Sequence, residues 1–218
     1  METDTSASTK SSDSDNDDSP PPQAKPGEVI GFEDLGLSDE SLELIRKAGY
    51  LVPTPIQEQA MPEILDGYDV IGSAQTGTGK TATFTIPVVE RLAGRGGTLA
   101  IVLSPTREIA QQTFDCFETF GKPRGVNACV LIGGVPMNPQ LEALKTYPQV
   151  IVATPGRLVD HMERGTVWLD YVEMVVLDEA DRMLDMGFLP QINRIMTETA
   201  LLGDDPASDR QALPHDDG

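Results

Sequence analysis

The sequence predicts an α/β fold, a doubly wound parallel sheet with helices on both faces. Three observations carry this. Four short apolar runs recur at 99–103, 129–132, 150–152 and 174–177. Each is apolar at successive positions, as strands buried on both faces are. Stretches with helical character lie between most of them, at 108–119, 139–145 and 156–163. Strands that alternate with helices argue for parallel pairing through crossovers rather than hairpins. Finally, a glycine-rich turn at 74–81 follows the apolar pair Val70-Ile71 and precedes a helical run at 82–92. Val70-Ile71 therefore reads as the end of a further buried strand. In such sheets ligands gather at the carboxyl ends of the strands, which is where the short polar motifs of this chain fall.

The 218 residues suffice for one domain with a full core plus tails. Residues 1–28 are rich in Ser and Asp and then carry Pro20-Pro21-Pro22. This composition predicts a disordered acidic tail. Order is expected from 29 to 203. Ser38 is placed to cap a first helix with Leu42, Leu44, Ile45 and Ala48 on its apolar side, ended by Gly49. A second helix opens at Pro53-Thr54-Pro55-Ile56-Gln57, buries Ile56, Ala60, Met61, Ile64 and Leu65, and ends at Gly67. Pro87 inside the run after the glycine-rich turn predicts a kink near Thr83. Residues 204–218 form a second acidic tail.

Composition narrows the function. No stretch approaches the roughly 20 apolar residues of a membrane span, and the polar start has no signal-peptide core. A cytoplasmic monomer is expected. Cys116 and Cys129 sit in apolar-periodic segments and read as free thiols rather than a disulfide or metal pair. His161 and His215 have no metal-ligand partners at a useful spacing, and Trp168 reads as a packing residue. The net charge is −19, and residues 29–203 alone carry 23 acidic against 13 basic residues. An acidic body argues against nonspecific binding to polyanions.

The stretch Ala74-Gln75-Thr76-Gly77-Thr78-Gly79-Lys80-Thr81 has the composition of a phosphate cradle. Backbone N–H groups of such a turn converge on one spot, and the following helix adds its positive end. Lys80 would reach the β- and γ-phosphates, and Thr81 would place a hydroxyl on Mg²⁺. Ala74 stands where the general pattern has its first glycine. Asp178-Glu179-Ala180-Asp181 follows the last apolar run directly. An acid there, paired with a phosphate cradle, is the expected Mg²⁺ holder. Glu179 is placed to orient or deprotonate a water.

Taken together, these motifs closely resemble the first RecA-like domain of the DEAD-box ATP-dependent RNA helicases. The similarity spans about 32–200. It rests on Phe32, the run at 53–57, the run at 74–81, Pro105-Thr106-Arg107-Glu108-Ile109-Ala110, Gly133-Gly134, Thr154-Pro155-Gly156-Arg157 and the run at 178–181, in the family's order. Ala74 and Pro87 are ordinary residues in this family. The resemblance implies a P-loop NTPase fold with ATP and Mg²⁺ as cofactors. It implies that Gln57 reads adenine and that Phe32 lies on the base. It implies that Arg107, Gly134, Thr154, Gly156 and Arg157 line an RNA path that follows the sugar-phosphate backbone with little sequence selectivity. Lys80, Asp178 and Glu179 would be catalytic, and Asp181 would couple to a Ser-Ala-Thr motif. The family's second RecA-like domain and that motif have no counterpart here. Arg210-Gln211-Ala212-Leu213 resembles the run that leads into the missing strand, but Pro214-His215-Asp216-Asp217-Gly218 has no strand character. The expectation is a helicase reading frame that breaks inside a motif. A nucleotide- or partner-binding remnant without catalysis is the competing reading.

Overall fold

The computed structural model describes residues 30–74, 77 and 79–199. Both predicted tails and Gln75, Thr76 and Thr78 lie outside the described residues. The described sheet has four parallel strands, β1 (Ala100–Leu103), β2 (Ala128–Leu131), β3 (Val150–Ala153) and β4 (Met174–Leu177), in the order β2-β3-β1-β4. Leu103 registers with Ala153 on one side and with Leu177 on the other, and Leu131 registers with Ala153. All four predicted runs form strands within a residue of their expected limits.

Eight helices cover the sheet among the described residues. α1 (Asp39–Lys47), α2 (Pro55–Asp66), α3 (Lys80–Leu92) and α4 (Arg107–Phe120) pack on one face. Their core includes Ile45, Met61, Ile86, Leu92 and Phe117, against Ala100, Val102, Val150 and Val152 of the strands. α5 (Met137–Leu144), α6 (Pro155–Glu163), α7 (Ala180–Asp185) and α8 (Leu189–Thr197) cover the other face, where Leu158, Met183, Ile192 and Ile195 meet Ile101, Leu103, Leu131 and Ile151. Strand residues thus alternate between two cores, the period-two arrangement of a sheet sealed on both sides.

Local chemistry sets the helix limits. Ser38 caps α1 as expected, its hydroxyl accepting from the Ser41 N–H at 3.4 Å. α2 starts with a reciprocal capping box between Thr54 and Gln57 and ends at Gly67 with φ +92°. α3 begins two residues before its predicted start and continues through Pro87 without ending. A part-buried cluster locks α1 to α3: Glu90 accepts from Ser38, Ser41 and Arg124, with the Arg124 contact at 3.0 Å. Burial pushes the Glu90 carboxyl up, but the three donors outweigh it and hold it below its usual range.

Two expectations fail at the β4 side. Val70-Ile71 forms no strand; Val70 is half-exposed and Ile71 fully exposed. No described strand pairs with this segment. Without a ladder, an extended segment has neither backbone partners nor a face to bury. β4 itself is only half-buried, with Leu177 40 % exposed; it has a partner on one side only among the described residues. Trp168 corrects a third expectation: it is 69 % exposed and is not a packing residue.

Candidate functional site

Since the strands are parallel, their carboxyl ends share one edge. Four of the predicted motifs begin there, at 105–110 after β1, 133–134 after β2, 154–157 after β3 and 178–181 after β4. The glycine-rich turn joins them through α3. Lys80 is the first residue of α3 and Thr81 the second, so both stand at the end where helix N–H groups lack helical partners. Gly79 before them takes φ +79°, and a Cβ there would lie 2.7 Å from Gln57 Nε2. Ala74 lines a recess of about 310 Å³ with Thr54, Pro55 and Ile56 at the start of α2.

Gln57 is fully buried, and both ends of its carboxamide are engaged. Oε1 accepts from the Thr54 N–H at 2.9 Å, and Nε2 donates to the Gly79 carbonyl at 3.3 Å. It ties the start of α2 to the phosphate turn and offers no open edge to a base. Phe32 is 3 % exposed and meets Tyr50 edge-on, with ring centroids 6.5 Å apart. The free aromatic face that stacking requires is covered, because the ring is part of the core beneath α1. In this structure both side chains are engaged with protein neighbours.

Asp178 extends β4 by one residue, and its N–H donates to the Leu103 carbonyl at 2.9 Å. Burial is the main force that raises its carboxyl above the usual range, with the neighbouring Glu179 charge adding to it. The Thr113 hydroxyl, the Lys80 charge and the Glu179 backbone N–H pull the other way. Thr113 Oγ1 lies 3.3 Å from Asp178 Oδ2. Glu179 has φ +52° and ψ +51°, a left-handed conformation that costs a non-glycine residue about 1–2 kcal/mol. Its carboxylate meets Arg182 at 3.2 Å. Asp181 is exposed in the first turn of α7. No group of three or more His, Cys, Asp or Glu able to hold a metal exists among the described residues. Asp178 and Thr81 would offer two oxygen donors to a cation at this edge. That fits Mg²⁺, which keeps much of its water and takes phosphate oxygens for the rest. A carboxylate whose surroundings oppose its charge is also one that a cation relieves.

A shallow groove of about 450 Å³ occupies the β1–β3 part of the edge. Arg107, Gly134 and Thr154 line it, together with Thr106 and, from the turn after α7, Met186 and Phe188. Arg107 is exposed and donates to the Gly133 carbonyl at 3.3 Å. Gly134 takes φ +77°, and a Cβ there would collide with the Arg107 guanidinium. Thr154 is the residue before α6, and its side chain makes no capping bond. Gly156 and Arg157 do not line this groove. The Arg157 side chain is only 12 % exposed and donates to the Val135 carbonyl at 3.2 Å, so it braces the glycine loop rather than presenting charge. Gln140 braces the same loop, accepting from the Ile132 N–H and donating to the Ile132 and Pro136 carbonyls.

Sequence reasoning did not find Thr113, Gln140, Met186 or Phe188. The helical spacing of Thr113 from Arg107 was visible, but its neighbour across the sheet was not. Both cysteines are free, Cys129 buried and Cys116 half-buried. Burial pushes their thiols up to about 12 and about 11, so neither is a nucleophile near neutral pH.

The geometry agrees with comparisons to known proteins. A family model described as DEAD/DEAH box helicase matches residues 54–213. The chain is 49 % identical over 183 residues to the ATP-dependent RNA helicase CshA of Limosilactobacillus reuteri, covering 84 % of this chain and 35 % of that protein. It is also similar to the crystal structure of a DEAD box protein from the hyperthermophile Methanococcus jannaschii. There the TM-score is 0.74 and the identity 41 %, over 78 % of this chain and 47 % of that one. The chain belongs to the DEAD/DEAH box helicase family, and its sheet is the RecA-like α/β fold of that family. It spans about a third of the length of the curated relative and about half of the structural one.

Proposed function

We propose that this chain is the ATP-binding half of an ATP-dependent RNA helicase, holding Mg²⁺-ATP at the β4 end of the sheet edge and single-stranded RNA at the β1–β3 end. The observation that carries this reading is Asp178 at the end of β4, within Coulombic reach of Lys80 at the start of α3, on the same edge as the Arg107 groove. In this reading the turn at 74–79, including Gln75, Thr76, Gly77 and Thr78, wraps the phosphates. Lys80 holds them electrostatically. Thr81 and Asp178 would hold Mg²⁺, which when bound neutralises phosphate charge. Glu179, its carboxylate fixed by Arg182, orients the attacking water. Gln57 acts from behind the cradle by holding Gly79 in place. Asp181, exposed at the start of α7, is the coupling residue toward parts of the family's fold that this chain does not match.

In the groove, Arg107 meets a phosphate, Thr154 offers a hydroxyl, and Gly134 and Gly156 let the backbone approach. Such contacts read the chain of sugars and phosphates rather than the bases. They also suit an acidic protein, because backbone donors need no basic surface. Cytoplasmic location and a monomeric state accompany this reading; no helix among the described residues is long and apolar enough to cross a membrane.

RNA-stimulated ATP hydrolysis tests the proposal. Turnover that falls at least about 100-fold in Lys80→Ala, in line with loss of a charged phosphate contact, supports it. Turnover that Lys80→Ala leaves unchanged sinks it. Nucleotide binding without turnover favours the non-catalytic reading.

A further inference from the structure

We infer that Thr113 is a positioning residue for Asp178, fixing the carboxylate that the reading above assigns to Mg²⁺. Thr113 lies in the middle of α4, 1 % exposed, on the face turned to the sheet. A threonine inside a helix ordinarily turns its hydroxyl back to the carbonyl four residues earlier. Among the described residues Thr119, Thr83 and Thr197 do so, bonding to Asp115, Gly79 and Asn193, whereas buried Thr85 of α3 does not. Thr119 is on the same helix, which makes it an internal control. The hydroxyl of Thr113 instead reaches across to Asp178 Oδ2.

The bond has a defined consequence. Asp178 is half-buried beside Glu179, and its surroundings work against its charge. With one oxygen held by a buried hydroxyl and the backbone anchored on Leu103, the carboxylate is kept to one orientation before any ligand arrives. Without the hydroxyl the carboxylate keeps only the Glu179 N–H and the Lys80 charge, and more of its ordering falls to the incoming ion. α4 begins at the groove with Arg107, and Thr113 lies two turns further along. The helix that shapes one site therefore also holds the acid of the other.

The test is equilibrium binding of a fluorescent ATP analogue to the 218-residue chain, in Mg²⁺ and in EDTA. Thr113→Val removes the hydroxyl at nearly constant volume. Its affinity in Mg²⁺ is expected to fall about tenfold, the scale of one hydrogen bond to a charged group, while affinity in EDTA stays within about twofold on the same scale. Thr113→Ser restores the Mg²⁺ enhancement. In an Asp178→Asn background, Thr113→Val adds nothing. Thr113→Cys, similar in size and a poor donor, carries the same expectation if circular dichroism shows Thr113→Val unfolded.

Equal losses in Mg²⁺ and EDTA would mean a role in folding alone and overturn the inference. So would an unchanged Thr113→Val beside an Asp178→Asn that loses the Mg²⁺ enhancement. If Asp178→Asn keeps that enhancement, or the unaltered chain shows none, the metal assignment itself falls, and the inference with it.

Discussion

β3 and β4 are close in sequence character, Val-Ile-Val-Ala and Met-Val-Val-Leu, and both pair in parallel with β1. Yet every residue of β3 is buried, and none of β4 is. The difference is position. β3 lies between β2 and β1, while β4 has a partner on one side only among the described residues. An apolar run identifies a strand; its neighbours decide how deeply it is buried. The same contrast extends to the loops that follow. After β3, Thr154 bonds to backbone at the end of β2 and Arg157 to backbone of the segment that follows β2, which Gln140 of α5 also braces. After β4, Asp178 has a single side-chain hydrogen bond, from Thr113 of α4, besides the Glu179 N–H, and Glu179 is held in a strained conformation. The groove is braced by its own bonds, whereas at the acidic end burial opposes the Asp178 charge and Glu179 holds a left-handed backbone.

The contrast is sharpest in stability. Ile151→Ala in β3 leaves a cavity in a sealed core and should cost about 2–5 kcal/mol, whereas Leu177→Ala at the open end of β4 should cost under about 1 kcal/mol. Chemical denaturation midpoints measure both. Similar losses would show that β4 is as enclosed as β3 in solution.

A smaller effect comes from the cluster that locks α1 to α3. Glu90→Gln keeps the shape but removes the charge that Arg124 faces, and should cost about 1.5–3 kcal/mol. Because the folded carboxyl sits below its ordinary value of 4.5, this contribution is fully present above that pH and is lost as pH falls through the folded value. Acid unfolding of the unaltered chain should therefore be steeper below pH 4.5 than that of Glu90→Gln. Parallel acid curves would show that Glu90 is not held by its donors.

Much of the fold was legible in the sequence. The four apolar runs mark all four strands, and Ser38, Gly49 and Gly67 mark helix limits through capping chemistry that depends only on local sequence. The acids at 178–181 were legible because they directly follow the last apolar run; Arg107, Gly134 and Thr154 were singled out only through the family resemblance, and the parallel sheet brings their segments to the same edge. What was not legible depends on distant partners. The burial of Gln57 and Phe32 is set by Gly79 and Tyr50. Arg157 turns inward because the Val135 carbonyl is there to accept. Val70-Ile71 looks like a strand in sequence and has no ladder to join. Nothing local to Glu179 announces its positive φ. α8 was missed although Ile192, Ile195 and Met196 have helical spacing; two apolar positions facing inward are a weak signal beside Pro190.

The most direct test of the division of the sheet edge is single-stranded RNA binding by fluorescence anisotropy. The comparison is between the unaltered chain, Arg107→Ala and Trp168→Ser, the last being an exposed aromatic that does not line the groove. Arg107→Ala is predicted to weaken binding about tenfold, as expected for loss of a charge-assisted phosphate contact, and Trp168→Ser to leave it unchanged. Equal affinities for Arg107→Ala and the unaltered chain, or a loss confined to Trp168→Ser, would place the RNA elsewhere and contradict the assignment of the β1–β3 groove.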